Sequence, residues 1–200
     1  MSVLEYSEAV GYMNYLKGFS PFIVSALVGV QFDWRVSGLT GFLVACLVVF
    51  FERRRGRGWD LMVLELSAWT YLAAQTAVAF AFPRSPVEAY TGFISMGWLA
   101  AAAWGSLVIG KPFTIAIARA RTRPEVWDHP VFIRANVAIT LVWAASFTVA
   151  AAAGALLMLA APGQTVGQIV LKVAAFTLPV IFTFYYPKAV RSRFEGVVNP

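Results

Sequence analysis

The sequence predicts an all-α membrane protein with six transmembrane helices. Long apolar runs separated by short loops fill the 200 residues, of which 60% are hydrophobic and only 13% are charged. A soluble domain carries roughly 25% charged residues, and a core of ordinary size cannot bury this much apolar surface, so lipid must cover it. The basic residues are concentrated in every second loop, which is typical of a multi-pass membrane protein.

Six apolar segments predict the spans, because each is long enough to cross a bilayer or has amphipathic flanks. They are Pro21–Gln31, Val36–Phe51, Leu61–Phe82, Val87–Ile109, Phe132–Ala161 and Val166–Tyr186. The first is short, and Pro179 should kink the last. We expect one integral membrane domain over 1–200, with an interfacial segment at 1–19, the helical bundle at 20–187 and a cytoplasmic tail at 188–200.

The charges of the loops predict the orientation. Arginines between residues 53 and 57 follow the second span, four basic residues follow the fourth span, and the tail is basic. The opposite loops contain only Arg35 and Arg84 as basic residues. The positive-inside rule then places both termini in the cytoplasm, which six spans satisfy.

Two segments are predicted to lie on the membrane. Residues 2–17 have an apolar face at helical spacing, formed by Val3, Tyr6, Val10 and Met13. A similar stripe, formed by Phe113, Ala116, Ile117 and Ala120, either continues the fourth helix into the cytoplasm or lies flat on anionic headgroups. The predicted contacts with lipid headgroups or a partner are Lys111, Arg119, Arg121 and Arg123.

Polar residues inside the predicted spans are the candidate functional residues, because such residues are costly in lipid. They are Glu65, Thr76, Arg134, Asn136, Thr140 and Lys172. Glu65 and Lys172 should differ in depth by roughly 13 Å, which argues against an ion pair and lets Lys172 extend outward to the interface. We predict instead that Glu65 pairs with Arg134 or hydrogen-bonds to Asn136. These residues form either a structural clamp or a polar track for protons or a small solute.

Small residues repeat every four positions in three of the predicted spans. The repeats are Ser37, Gly41 and Ala45; Gly97, Ala101 and Gly105; and Ala150 and Gly154. Small residues allow close helix contacts in lipid. The spacing favours packing within the molecule, and the alternative is a homodimer interface.

Most catalytic and metal chemistry is missing from the sequence. His129 is the single histidine and lies in a loop, so a bis-histidine haem is excluded, and Cys46 has no partner for an intrachain disulfide. No nucleophile motif or phosphate-binding loop occurs. We therefore predict no catalytic residue, no metal, no cofactor and no nucleic-acid binding. Trp34, Trp59 and Trp127 lie near span ends and are predicted interfacial anchors.

The junction after the fourth span carries a family resemblance. It has the sequence Gly110-Lys111-Pro112-Phe113-Thr114, followed by a basic segment, by Trp127 and Pro130, and by Phe132, Asn136, Thr140 and Trp143 in the fifth span. This resembles the bacterial intracellular septation protein A family and its uncharacterised membrane relatives. The resemblance extends loosely over Pro21 to Lys188 and is sharp over Gly110 to Trp143.

The resemblance implies a small, non-enzymatic protein of the bacterial inner membrane. Such a protein would act in envelope maintenance or division through protein partners, and the family supplies no catalytic residues. Two alternatives remain, a small carrier or channel and an accessory subunit of a larger membrane complex. A water-accessible cavity lined by Glu65, Asn136 and Thr140 would favour a carrier, whereas dry packing of these side chains would contradict it.

Overall fold

The structure, a computed structural model, describes residues 17–119, 122–161 and 163–198, with the backbone alone for 165 and 188–198. The described part is helical and contains no strand. Its helices are α1 (Lys17–Val28), α2 (Trp34–Arg54), α3 (Val63–Ala81), α4 (Val87–Val108), α5 (Phe113–Arg119), α6 (Pro130–Ala160) and α7 (Thr165–Val198). The predicted interfacial helix at 2–17 lies outside the described residues except for Lys17, and Arg121 also lies outside them.

Each of the six predicted spans contains a helix, and four of these helices are long and apolar enough to cross a membrane. They are α2, α4, α6 and the Val166–Pro187 part of α7. The chain is therefore a multi-pass membrane protein. The 12 residues of α1 rise only about 18 Å against a core of roughly 30 Å. Helix α3 has 19 residues but includes Glu65 and Gln75, so six crossings remain a prediction.

The chain divides into two compact units, Met1–Thr91 and Gly92–Pro200. In the first unit, α2 contacts α1 through small residues. The Ser37 hydroxyl donates to the Ser25 carbonyl at 2.8 Å. A Cβ added at Gly41 would lie 2.7 Å from Ser25 Cβ and 3.1 Å from the Pro21 carbonyl oxygen. Since Ser37, Gly41 and Ala45 are buried, the prediction of packing within the molecule is confirmed for this stripe.

Helix α3 packs against α1 and α2 in the same unit. The ring of Phe22 stacks on Tyr71 at 5.6 Å between centroids, and Thr76 lies 3.2 Å from the Cβ position of Gly38. The indole of Trp34 donates to the Pro83 carbonyl at 3.3 Å. This bond ties the first residue of α2 to the loop that follows α3.

In the second unit, α4 runs antiparallel to α6. The indole of Trp104 donates to Thr148 at 3.1 Å, while a Cβ at Gly154 would lie 3.2 Å from Phe93 Cβ.

The α4 stripe of Gly97, Ala101 and Gly105 behaves differently from that of α2. Ala101 and Gly105 are exposed, and apart from the backbone of α4 itself no atom of the described residues lies within 4 Å of the Cβ position of Gly105. The predicted packing of this α4 stripe inside the molecule therefore does not form at these two positions.

Helix α7 also runs antiparallel to α6. Near its beginning, Gln168 donates to the Gly154 carbonyl at 3.1 Å, and further along Thr183 accepts the indole N–H of Trp143 at 3.1 Å. Helix α7 continues through Pro187 to Val198. The predicted tail from residue 188 is therefore a continuation of the helix as far as the described backbone extends.

A sharp break separates α4 from α5. Gly110 has a φ of 70°, which glycine adopts without a steric penalty, and the amide of Lys111 bonds to the Ser106 carbonyl at 2.9 Å. Helix α5 then packs on α6 with Phe113, Thr114 and Ile117 buried. The prediction that this stripe continues α4 is therefore wrong. The stripe residues Phe113 and Ile117 are buried against protein, Ala120 lies outside the described residues, and the alternative, that the segment lies flat on anionic headgroups, stays a prediction.

The second unit is longer along its helix axes than a bilayer core is thick. Helix α6 has 31 residues and a length of about 46 Å, against roughly 30 Å of hydrocarbon. Helix α4 pairs with the later part of α6, and α5 contacts the beginning of α6 up to Trp143. We refer to α5 and residues 130–143 of α6, with the described residues of the loop between them, as the α5–α6 hairpin.

Candidate functional site

A buried polar cluster holds the α5–α6 hairpin together. The Thr114 hydroxyl lies 2.8 Å from the Thr140 hydroxyl and donates to the Asn136 carbonyl at 3.0 Å. The amide nitrogen of Asn136 donates to the Phe132 carbonyl at 2.9 Å. Thr114 and Thr140 are 0% exposed and Asn136 is 3% exposed. We call Thr114, Asn136 and Thr140 the hairpin cluster.

The hairpin cluster leaves one acceptor unused. Asn136 Oδ1 is buried and has no hydrogen-bond partner in the described part of the chain. A buried amide oxygen without a donor costs about 1–3 kcal/mol. The cluster contains hydroxyl and amide groups, so it can orient one donor but offers no strong acid or base.

Ser106 fastens the start of α5. Its hydroxyl accepts the N–H of Phe113 at 3.2 Å and donates to the Ala103 carbonyl at 2.7 Å. The ring of Phe113 meets Trp143 edge-on at 6.3 Å. The residues between Gly110 and Trp143 that carry the family resemblance therefore include those that build the hairpin.

A second buried polar contact joins α6 to α7. Trp143 donates to Thr183, and the Thr183 hydroxyl donates to the Pro179 carbonyl at 2.7 Å. Trp143 also packs with Phe147 and Phe176 at centroid distances of 5.4 and 6.1 Å. This arrangement satisfies the indole N–H inside an aromatic cluster, as a structural contact requires.

Lys172 lies beside a glycine of α4. A Cβ at Gly92 would be 2.9 Å from Lys172 Nζ, so the glycine makes room for the lysine side chain. Gly92 lies five residues after the start of α4 at Val87. The ammonium therefore lies about 8 Å from the start of α4, measured along the helix axis. A lysine side chain that extends outward can reach the membrane interface over this distance.

In the first unit, Glu65 is buried in an ion pair with Arg57. Glu65 is 6% exposed, and its carboxylate accepts from Arg57 Nη1 at 2.7 Å. Arg57 also bonds to Glu52 at 2.9 Å and donates to the Leu61 carbonyl at 2.7 Å. Burial alone would lower the pKa of Arg57, but Glu65 and Glu52 outweigh it and raise the pKa.

Within the first unit the partner of Glu65 is therefore Arg57, which our prediction of Arg134 or Asn136 did not include. The prediction considered only residues of other spans at a matching depth. Arg57 lies in the loop before α3, and its long side chain reaches the first turn of that helix. The sequence contains a signal for this pair, since an arginine-rich loop is flanked by acidic residues at 52 and 65.

The other predicted residues lie in different environments. Thr76 donates to the Leu72 carbonyl of its own helix at 2.7 Å, and Arg134 is exposed. Lys111 and Arg123 are exposed, as expected for headgroup or partner contacts, whereas Arg119 is half-buried with its guanidinium 5.1 Å from the Trp127 ring centroid.

The predicted polar track does not form one site within either unit. Glu65 and Thr76 belong to the first unit and lie eleven residues apart on α3, about 16 Å along the helix. In the second unit, only Asn136 and Thr140 come together, and sequence reasoning missed their partner Thr114. The described residues contain no group of three or more metal-binding side chains.

No family model, curated protein or solved structure matches the chain.

Proposed function

We propose that this chain is a non-enzymatic, multi-pass protein of the bacterial inner membrane that acts through protein partners in envelope maintenance or division. The proposal includes six spans with both termini in the cytoplasm. The observation that carries it is the α5–α6 hairpin. The segment that resembles the septation protein A family is Gly110 to Trp143, and within it Phe113 and Thr114 contact Asn136, Thr140 and Trp143.

The hairpin is suited to contact a partner because its polar residues are divided between two sides. The hairpin cluster is turned inward and holds α5 against α6. The charged residues Lys111, Arg123, Glu125, Asp128 and Arg134 are exposed. An exposed charged surface on a fixed support is a common arrangement for binding.

The hydrogen bonds and ion pairs of the polar residues inside the helices also support the proposal. Glu65, Thr140 and Trp143 all bond to other protein groups. These bonds favour the structural clamp over the polar track. They give the interior polar residues a role in fixing the helices, and leave the hairpin surface to interact with other proteins.

Localisation and depletion in the source bacterium test the proposal. A fluorescent fusion should be enriched at division sites, and depletion should lengthen cells or make the envelope sensitive to detergent. The matched variants are Arg123→Glu with Arg134→Glu on the hairpin surface, and Arg84→Glu in the loop after α3. The hairpin variants should lose the enrichment and the Arg84 variant should keep it. Uniform localisation together with unchanged cell length and envelope sensitivity would refute the proposal.

A carrier is the second candidate function, and the unused Asn136 Oδ1 favours it because a donor solute could bind there. Proteoliposomes test this with a pH-sensitive dye for protons and radiolabelled solutes for uptake. A flux that Asn136→Leu abolishes would support the carrier. A flux equal to that of empty liposomes would exclude proton conduction under those conditions.

A further inference from the structure

The four arginines at the end of α2 and in the loop that follows it divide into a set with carboxylate partners and a set without them. Arg55 and Arg57 both bond to Glu52, at 3.1 and 2.9 Å. Within the described part of the chain, Arg53 and Arg54 form no ion pair with a carboxylate. The end of α2 therefore presents two exposed guanidinium groups whose charge is not neutralised by a neighbouring side chain.

Aromatic rings hold these two guanidinium groups in place. Arg53 Cζ lies 4.2 Å from the Trp59 ring centroid, and Arg54 Cζ lies 4.8 Å from that of Phe50. Arg53 Nη1 also donates to the Arg57 carbonyl at 2.6 Å. Because Trp59 is 55% exposed and Phe50 is 49% exposed, the charges lie on an accessible aromatic surface and keep further N–H groups for a ligand.

The position of α2 relative to a bilayer places this surface at the level of lipid phosphates. The 21 residues of α2 span about 31 Å, which matches a hydrocarbon core of roughly 30 Å. Arg53 and Arg54 lie in its last turn. Leu47 and Leu43, one and two turns deeper than Phe50, are 55% and 53% exposed. An apolar surface for an acyl chain therefore leads to the two arginines.

We propose that Arg53, Arg54 and Trp59 bind the phosphate of an anionic phospholipid, with one acyl chain along the Leu43–Leu47 face of α2. The planar guanidinium groups can donate paired hydrogen bonds to phosphate oxygens. The continuous apolar face selects a lipid over free phosphate or an acidic protein segment. This site requires only that α2 crosses a membrane, so it is independent of the proposed protein partners.

Native mass spectrometry of the full chain in detergent tests the site. The protein is titrated with phosphatidylglycerol and, as a neutral comparison, with phosphatidylcholine. We expect wild-type protein to retain one phosphatidylglycerol selectively. A basic residue near the headgroups contributes about fivefold in affinity, so Arg53→Gln and Arg54→Gln should each weaken binding about fivefold and the double variant about thirtyfold.

Arg55→Gln is the matched control, because it removes the same charge from the same loop but from an arginine paired with Glu52. It should change the affinity less than about twofold. Trp59→Leu should weaken binding about two- to threefold, since Arg53 loses its ring contact. Size-exclusion chromatography and circular dichroism confirm that each variant is folded, and the single variants decide the result if the double variant fails this check.

Three results would overturn the proposal. Equal weakening by Arg55→Gln and Arg53→Gln would show a general charge effect. Equal retention of phosphatidylcholine would show that the headgroup charge is not recognised. Displacement of the lipid by millimolar inorganic phosphate would identify free phosphate as the ligand.

Discussion

Gly41→Ala should destabilise the protein, whereas Gly105→Ala should not, although the two glycines occupy equivalent places in repeats of small residues. The structure separates them by their surroundings. A Cβ at position 41 would lie 2.7 Å from Ser25 Cβ, and 3.1 Å from both Leu72 Cδ2 and the Pro21 carbonyl oxygen. At Gly105, by contrast, the described residues place no atom other than the backbone of α4 within 4 Å of the Cβ position.

The expected magnitude follows from two opposing effects. Ser25 Cβ and the Pro21 carbonyl cannot rotate away, because both are fixed to the backbone of α1. Overpacking of this kind costs about 1–3 kcal/mol, while alanine gains about 0.5–1 kcal/mol over glycine inside a helix. Gly41→Ala should therefore lower the free energy of unfolding by about 1–2 kcal/mol, and Gly105→Ala should raise it by up to about 1 kcal/mol.

Equilibrium unfolding in mixed micelles of dodecylmaltoside and sodium dodecyl sulfate measures both variants. Tryptophan fluorescence reports on tertiary contacts and circular dichroism on helix content, so agreement between the two signals checks for a two-state transition. If Gly41→Ala were as stable as wild type, α1 would not pack on α2 through Gly41. Equal destabilisation by both variants would instead show that Gly105 also forms a close helix contact, such as a homodimer.

Three further substitutions test the polar contacts by the same unfolding measurement. Arg57→Gln should lower the free energy of unfolding by about 3 kcal/mol, because the buried Glu65 carboxylate loses its partner. Adding Glu65→Gln should recover most of this loss, and no recovery would contradict the ion pair. Thr183→Val should cost about 1–3 kcal/mol by leaving the Trp143 indole N–H unpaired, and an unchanged stability would contradict that bond. Asn136→Leu removes an unsatisfied acceptor and should stay within about 1 kcal/mol of wild type; a larger loss would show that Oδ1 has a partner.

The positions of the helices could be predicted well from the sequence. The second span was predicted at Val36–Phe51 and α2 covers Trp34–Arg54; the fourth was predicted at Val87–Ile109 and α4 covers Val87–Val108. Apolar runs and the loops between them determine these positions, because lipid requires continuous apolar helices. The end of α7 was not predicted, since the last span was predicted to end at Tyr186 and the helix continues through Pro187 to Val198.

The contacts between side chains were harder to predict. The helical spacing placed Asn136, Thr140 and Trp143 on one stripe of α6, and these residues are buried. The spacing did not identify Thr114 as their neighbour, because a short apolar stripe can face either lipid or protein. Glu65 shows the same limit, since its partner Arg57 comes from a loop whose path the sequence does not specify.

The two ends of α2 differ in their number of basic residues. At the start of α2, Arg35 bonds to Asp33, and this hydrogen bond lowers the pKa of Asp33. At the other end lie the four arginines Arg53, Arg54, Arg55 and Arg57. The positive-inside rule counts basic residues near helix ends and gives acidic residues little weight, so four arginines against one support the proposed cytoplasmic position of the loop after α2. Of the four, Arg53 and Arg54 form no ion pair within the described part of the chain. The same two arginines are the proposed lipid ligands, so the charge that orients α2 and the charge that binds the headgroup are one feature of the chain.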